Sequence, residues 1–199
     1  MRAGEQRRPD VVVQRRQWCE QLACIDPRRL VFLDETGAKT NMTRLFARAP
    51  VGQRAVDYAP HGHWNTTTLV AAVTFERAIA PMVLDGPMDT LAFEAYVEQV
   101  LIPELPPGSI VVMDNLPAHK SASIARMLDA AGARLWYLPP YSPDFNPIEQ
   151  MWSKVKSWLR RAKARTQEEL YDAIAQALLA VSADDIEGFF RHCVVGIIN

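Results

Sequence analysis

An α/β fold built on one mixed sheet, antiparallel in its first half and parallel in its second, is what this 199-residue sequence predicts. Three observations support it. The apolar runs Leu30-Val31-Phe32-Leu33 and Ile110-Val111-Val112-Met113 have the pattern of strands buried on both faces. Short apolar segments close together between residues 66 and 84 imply an antiparallel meander. From Ile110 onward, strand and helix patterns alternate at lengths that require parallel pairing through right-handed crossovers.

The elements follow in order. Residues 1–29 read as an Arg-rich linker with one helix: Pro9 stands near its start, Trp18, Leu22 and Ile25 recur at helical spacing, and Asp26-Pro27 ends it. The strand from Leu30 ends at Asp34. Further strands are expected between residues 43 and 57, over 66–75 and over 80–84, with the turn-rich Ala59-Pro60-His61-Gly62-His63 among them. Residues 90–105 place Leu91, Phe93, Tyr96, Val97, Val100 and Leu101 at helical spacing and stop at Pro106-Pro107-Gly108. Then come a strand at 110–114, a helix over 121–131 closed by Gly132, a strand over 133–138 and a long helix from Pro147 to about Arg165. Residues 166–190 read as two helices, the second capped by Ser182 ahead of Asp185.

Three antiparallel strands, a helix, a strand, a helix, a strand and a helix make the ribonuclease H-like arrangement, a mixed sheet flanked by helices with a C-terminal helical extension. The expected division is a linker helix at 1–29, a catalytic domain at 30–165 and the extension at 166–199. With 49% apolar residues the chain can bury one good core. Net charge is −1, so the protein is not uniformly basic; the positive charge is local. Residues 1–29 hold seven Arg against four acids, and residues 154–165 hold Lys154, Lys156, Arg160, Arg161, Lys163 and Arg165 with no acid. Three cysteines, without CxxC or a zinc-ligand spacing, fit a reducing setting. No apolar stretch approaches a membrane span, and no signal-peptide pattern begins the chain, so a cytoplasmic protein without membrane partners is expected.

The candidate chemistry rests on three acids. Asp34 and Asp114 each end an apolar run, and Glu149 opens a helix with 34 residues between it and Asp114. Side chains alternate across a strand, so only one of Asp34 and Glu35 can face Asp114. Three clustered carboxylates repel one another and need a cation; Mg2+ takes oxygen ligands and is held by one or two carboxylates plus substrate phosphate. A pair of such ions suits phosphodiester chemistry, one activating the attacking oxygen and one stabilising the leaving oxygen. Glu149 has a rival explanation, because Asn146-Pro147-Ile148-Glu149 also reads as a capping box. Asn115 and His119 are auxiliary candidates near the scissile phosphate, against the plainer reading of a turn with an exposed His. Glu149, Ser153, Lys156, Arg160 and Lys163 line one edge of the last long helix, a rail for DNA phosphates if not simply a solvated face. His61-Gly62-His63-Trp64 lacks a third zinc ligand.

At these residues the chain resembles DDE-type transposases of the mariner superfamily, in particular its bacterial insertion-sequence branch. The resemblance runs through Leu30-Val-Phe-Leu-Asp-Glu-Thr-Gly-Ala-Lys-Thr-Asn-Met42, His61-Gly-His-Trp64, Val111-Val-Met-Asp-Asn-Leu-Pro-Ala-His-Lys120 and Leu138-Pro-Pro-Tyr-Ser-Pro-Asp-Phe-Asn-Pro-Ile-Glu-Gln-Met-Trp152. It implies Asp34, Asp114 and Glu149 as a catalytic and metal-binding triad for two Mg2+ or Mn2+ ions. It also implies cleavage of double-stranded DNA at transposon ends and transfer of the freed 3′-hydroxyl into target DNA, typically at TA. Family members usually carry helix-turn-helix units ahead of the catalytic core. This sequence shows none, so a homodimer or an assembly with a helix-turn-helix-containing transposase polypeptide is expected. An unproductive fragment that modulates full-length transposase, and a host nuclease of the same fold, are the competing readings.

Overall fold

The computed structural model describes residues 4–44, 46–58, 66–115 and 122–196. Its sheet has five strands: β1 (Leu30–Ala38), β2 (Thr67–Val73), β3 (Ala78–Asp85), β4 (Ile110–Met113) and β5 (Arg134–Tyr137). The order is β3-β2-β1-β4-β5, antiparallel from β3 to β1 and parallel from β1 to β5. The helices are α1 (Pro9–Leu22), α2 (Thr90–Tyr96), α3 (Ala122–Ala130), α4 (Pro147–Ala162), α5 (Gln167–Leu179) and α6 (Ala183–Phe190).

Strand alternation divides the core into two layers. Leu30 and Phe32 of β1, Leu69, Ala71 and Val73 of β2, and Ile110 and Val112 of β4 point to one face. There they meet Trp18 and Leu22 of α1, the Ile148, Met151, Trp152, Val155 and Leu159 stripe of α4, and the buried faces of α5 and α6. Val31, Leu33, Val70, Ala72, Val111 and Met113 point to the other face, against Phe93 and Tyr96 of α2 and Ile124 and Leu128 of α3. The linker helix and the C-terminal helices thus share the core of the face that bears α4.

Several expectations are corrected. β1 does not stop at Asp34 but runs on to Ala38, because β2 continues to pair with it, Asp34 opposite Ala71 and Ala38 opposite Thr67. No strand forms between residues 43 and 57 among those described; the segment is irregular and exposes Phe46, Val51 and Val56. α1 ends at Leu22, so Ile25 lies beyond it. After Tyr96 the helical path widens into a π turn (Val97–Leu101) and tightens into a 3-10 turn (Ile102–Glu104). α4 stops at Ala162, where Lys163 adopts the left-handed conformation with φ 53°. Ser182 does cap α6 as expected, its hydroxyl accepting from the Asp185 N–H while the Asp185 carboxylate accepts from the Ser182 N–H. No helix among the described residues is long and apolar enough to cross a membrane.

Candidate active site

The parallel register puts two acids side by side. Leu30, Val31 and Phe32 pair with Ile110, Val111 and Val112, and the pairing ends there. Asp34 and Asp114 each stand two residues past the Phe32 and Val112 pair, on neighbouring strands whose spacing is ~4.8 Å. Alternation settles which acid of β1 joins them: Asp34 shares the parity of Leu30 and Phe32, Asp114 that of Ile110 and Val112, and both belong to the face covered by α4. Glu35 has the parity of Val31 and Leu33 and belongs to the α2 face. Asp34 is half-buried, and its Oδ1 accepts the Glu35 N–H at 2.8 Å, which fixes the carboxylate against its own backbone.

Glu149 reaches the same place by a stiff route. The Leu138 N–H donates to the Met113 carbonyl at 2.9 Å, so the proline-rich run starts beside the end of β4. Two prolines, a left-handed Tyr141 (φ 54°) and a 3-10 turn (Pro143–Phe145) then turn the chain into α4. α1 holds this run from outside. Arg15 donates to both Asp144 oxygens (3.0 and 2.7 Å) and to Ser142 Oγ (2.7 Å), with its guanidinium 3.9 Å from the centre of the Phe145 ring. Gln6 Nε2 donates to the Tyr141 carbonyl at 2.7 Å.

The capping box expected at the start of α4 does not form. Asn146 occupies the N-cap position without a side-chain cap bond, and the Glu149 N–H donates to the Asn146 carbonyl instead. Pro147 offers no N–H, and the Asn146 side chain turns inward. Its amide oxygen is buried with no hydrogen-bond partner among the described residues, while Glu149 stays exposed. An unsatisfied buried amide oxygen costs about 1–3 kcal/mol and calls for a partner that no described residue supplies.

Asp34, Asp114, Asn115, Asn146 and Glu149 line one cavity of about 430 Å³, walled on its other side by residues 138–143. Its polar lining is carboxylate, amide and hydroxyl groups, with neither thiol nor imidazole among the described residues, and this set of hard oxygen donors suits Mg2+ or Mn2+. Among the described residues no three His, Cys, Asp or Glu side chains stand close enough to hold one ion between them. An open arrangement of this kind fits ions that complete their coordination with water and substrate phosphate. His119 and His61-Gly62-His63-Trp64 lie outside the described residues.

Of the rail, Lys156 and Arg160 are half-buried along α4, whereas Lys163 sits past the helix end and pairs with Asp57 at 2.5 Å. Hydrogen bonds from Lys163 and from the Tyr58 N–H hold the Asp57 carboxyl below the usual range. Sequence reasoning missed the Arg15 and Asp144 lock and the inward amide of Asn146. A hydrophobic helix face studded with Arg gives no signal for a partner 129 residues away.

Sheet order, strand polarity and acids at the strand ends define the class: a ribonuclease H-like domain with an acid-lined cavity beside its central parallel pair. The chain belongs to the DDE superfamily endonuclease family, whose profile matches residues 29–171. It is similar to the Tcb1 transposable-element transposase of Caenorhabditis briggsae, 26% identical over 141 residues, covering 65% of this chain and 50% of that protein. It is also similar to the Tc1 transposase of Caenorhabditis elegans, 24% identical over 147 residues, covering 68% of this chain and 53% of that protein. The chain therefore spans about half the length of the curated relatives it matches. Among solved structures it is similar to the Mos1 transposase paired-end complex with left transposon end (TM-score 0.75, 18% identity, 95% of this chain and 60% of that one). The catalytic domain of Mos1 mariner transposase gives a TM-score of 0.70 at 16% identity, covering 96% of this chain and 95% of that one. At such identities the likeness establishes the fold.

Proposed function

We propose that this chain is the catalytic portion of a transposase of the mariner superfamily, from its bacterial insertion-sequence branch, with residues 30–165 as the catalytic domain. It cleaves double-stranded DNA at transposon ends and joins the freed 3′-hydroxyl to target DNA, at TA, within the cytoplasm and its nucleoid. The observation behind the reading is the convergence of Asp34, Asp114 and Glu149 on one cavity. When bound there, two Mg2+ or Mn2+ ions supply activation of the attacking oxygen and neutralisation of the leaving oxygen. Asp34 and Asp114 supply the fixed carboxylates on adjacent strands, Glu149 supplies the third from a helix start, and the Asn146 amide oxygen offers a further acceptor. Asn115 and His119 are placed by sequence to orient the phosphate.

In the first step a water oxygen bonds to phosphorus, the P–O3′ bond breaks, and the 3′ oxygen takes up a proton. In the second that 3′-hydroxyl bonds to a target phosphorus and a target P–O3′ bond breaks, so one phosphodiester replaces another and no energy source is needed. Lys156 and Arg160 hold the duplex by its phosphates, with Lys163 joining them if its pair with Asp57 opens. Assembly as a homodimer, or with a helix-turn-helix-containing transposase polypeptide, supplies recognition of the ends. The paired-end form of the similar Mos1 complex supports such an assembly.

The test is cleavage of labelled transposon-end DNA by the purified chain in Mn2+. Wild type yields a metal-dependent product; Asp34→Asn and Asp114→Asn yield none, yet melt at the same or a higher temperature without metal because carboxylate repulsion is relieved. Equal background from wild type and Asp114→Asn would reject the catalytic reading in favour of a modulating fragment.

A further inference from the structure

The outer pair of strands carries a bulge at the level of Asp34. Pairing between β2 and β3 passes from Val70 opposite Met82 to Ala72 opposite Ile79, so Ala71 alone faces both Ala80 and Pro81. An extra residue of this kind bends its strand and increases the local twist. Ala80 takes the strain: its φ is 51°, the left-handed conformation that an L side chain resists and glycine adopts freely. Pro81 brings no N–H to the ladder, which suits a bulge on an edge strand. On its other side Ala71 pairs with Asp34. Bulge, Ala71 and Asp34 therefore form one row across β3, β2 and β1, with the bulge about two strand spacings, ~9.6 Å, from the acid.

Two side chains hold Ala80 in this conformation. The Tyr96 hydroxyl of α2 donates to the Ala80 carbonyl at 2.8 Å, and Oε1 of Glu104, in the 3-10 turn, accepts the Ala80 N–H at 3.2 Å. Ala80 and Tyr96 are buried, so backbone groups that leave the ladder need such partners. Arg77, in the turn between β2 and β3, stands 3.6 Å from Glu104 and ties it to the same hairpin. Burial, followed by the charges of Glu104 and Glu35, pushes the Tyr96 hydroxyl well above its ordinary value, so it remains a donor. Packing alone would be met by Phe at position 96, whose ring fills the same space; what the hydroxyl adds is the bond to the bulge. A left-handed non-glycine residue persists only where its surroundings over-determine it, and bulges recur beside active sites, where they re-aim a side chain.

We infer that Tyr96 and Glu104 are positioning residues for Asp34: by locking the bulge they set the bend of β2 where it pairs with β1, and so the direction in which the Asp34 carboxylate meets Asp114 and a divalent ion. The inference rests on the catalytic reading above, which makes Asp34 a metal ligand. Tyr96 belongs to the α2 face of the sheet and Asp34 to the α4 face, so its effect on the metal passes through the backbone of β3, β2 and β1.

The variants are Tyr96→Phe and Glu104→Ala, each also combined with Ala80→Gly, because glycine holds the left-handed conformation without the lock. Glu104 is half-buried, so Glu104→Ala carries the test if Tyr96→Phe does not fold. Two Mn2+ titrations read them: loss of the free Mn2+ paramagnetic resonance signal on binding to the protein without DNA, and cleavage of labelled transposon-end DNA. Each single variant should need about tenfold more Mn2+ for the half-maximal effect in both, as a slightly misplaced ligand does, while binding DNA in EDTA as wild type does. Adding Ala80→Gly should return the Mn2+ requirement to within about threefold of wild type, although the melting temperature without metal stays low because a buried group of residue 80 still lacks its partner. Lower melting temperatures with an unchanged Mn2+ requirement, or no recovery on adding Ala80→Gly, overturn the inference and leave the catalytic reading standing. A wild type that neither binds Mn2+ nor cleaves overturns both.

Discussion

Removing Arg15 should damage the cavity without touching it. Arg15 joins α1 to the run that leads into α4 by three hydrogen bonds and one cation–π contact, and its side chain is 17% exposed against 34% for Asp144. Such a pair lies between the exposed case, worth about 0.2–1 kcal/mol, and the buried case, whose breakage costs about 3–5 kcal/mol. Arg15→Ala should therefore cost about 2 kcal/mol, which for a chain of this size lowers Tm by roughly 4–8 °C. Asp144→Ala should cost a similar amount, and the double variant should show a coupling of about 1–2 kcal/mol, since the two changes remove one interaction. Arg15→Lys should recover only part of it, because an ammonium cannot bridge both carboxylate oxygens and Ser142 in a plane. Arg15→Ala, Asp144→Ala and the double variant should slow Mn2+-dependent cleavage by about ten- to a hundredfold well below the melting range, as small misplacements of a positioning element do. The assays are denaturant melts in a double-mutant cycle and single-turnover cleavage. A coupling below about 0.5 kcal/mol together with an unchanged cleavage rate would refute the idea that α1 holds the run in place.

Lys156→Ala/Arg160→Ala should reduce the slope of log binding constant against log salt by about 2, and an unchanged slope would dismiss the phosphate rail. Lys163→Gly should leave stability within about 0.5 kcal/mol, because relief of the left-handed backbone at φ 53° offsets the loss of an exposed ion pair with Asp57; a much larger fall in a urea melt would mean that the pair is worth more than its exposure suggests. The Lys154 ammonium, followed by the N–H and hydroxyl of Ser182, holds the Asp185 carboxyl down to about 2 from 3.8. A depressed folded value means that its stabilisation is present above the unfolded value near 4 and disappears as pH falls through about 2. Thermal melts over that window should lose about 1 kcal/mol in wild type, discounted for the partial exposure of both partners, and markedly less in Lys154→Ala; identical acid limbs would rule out the pair as their source.

The acids, the order of elements and the core stripe of α4 were legible in the sequence because each is a local pattern. Apolar runs bounded by Asp34 and Asp114 announce buried strands, and the spacing of Ile148, Met151, Trp152, Val155 and Leu159 announces a helix with one buried face. The irregular residues 46–58 were misread because Val51 and Val56, strand formers by propensity, gain neither partner strand nor burial there, and β-propensity is mainly a measure of both. The end of β1 was misplaced for the opposite reason: a carboxylate looked like a terminus, but pairing with β2 carried the strand past it.

By itself, then, the sequence determined which residue types were available and along which faces they would alternate, since periodicity is set by backbone geometry. Tertiary structure alone decided between Asp34 and Glu35, because only the register of β1 on β4 and the side on which α4 packs give parity a direction. It also decided that Glu149 points to the cavity instead of capping its helix. The local capping motif yielded to a chain path fixed by Arg15 and Asp144, two residues that are brought together only when α1 closes over the proline-rich run.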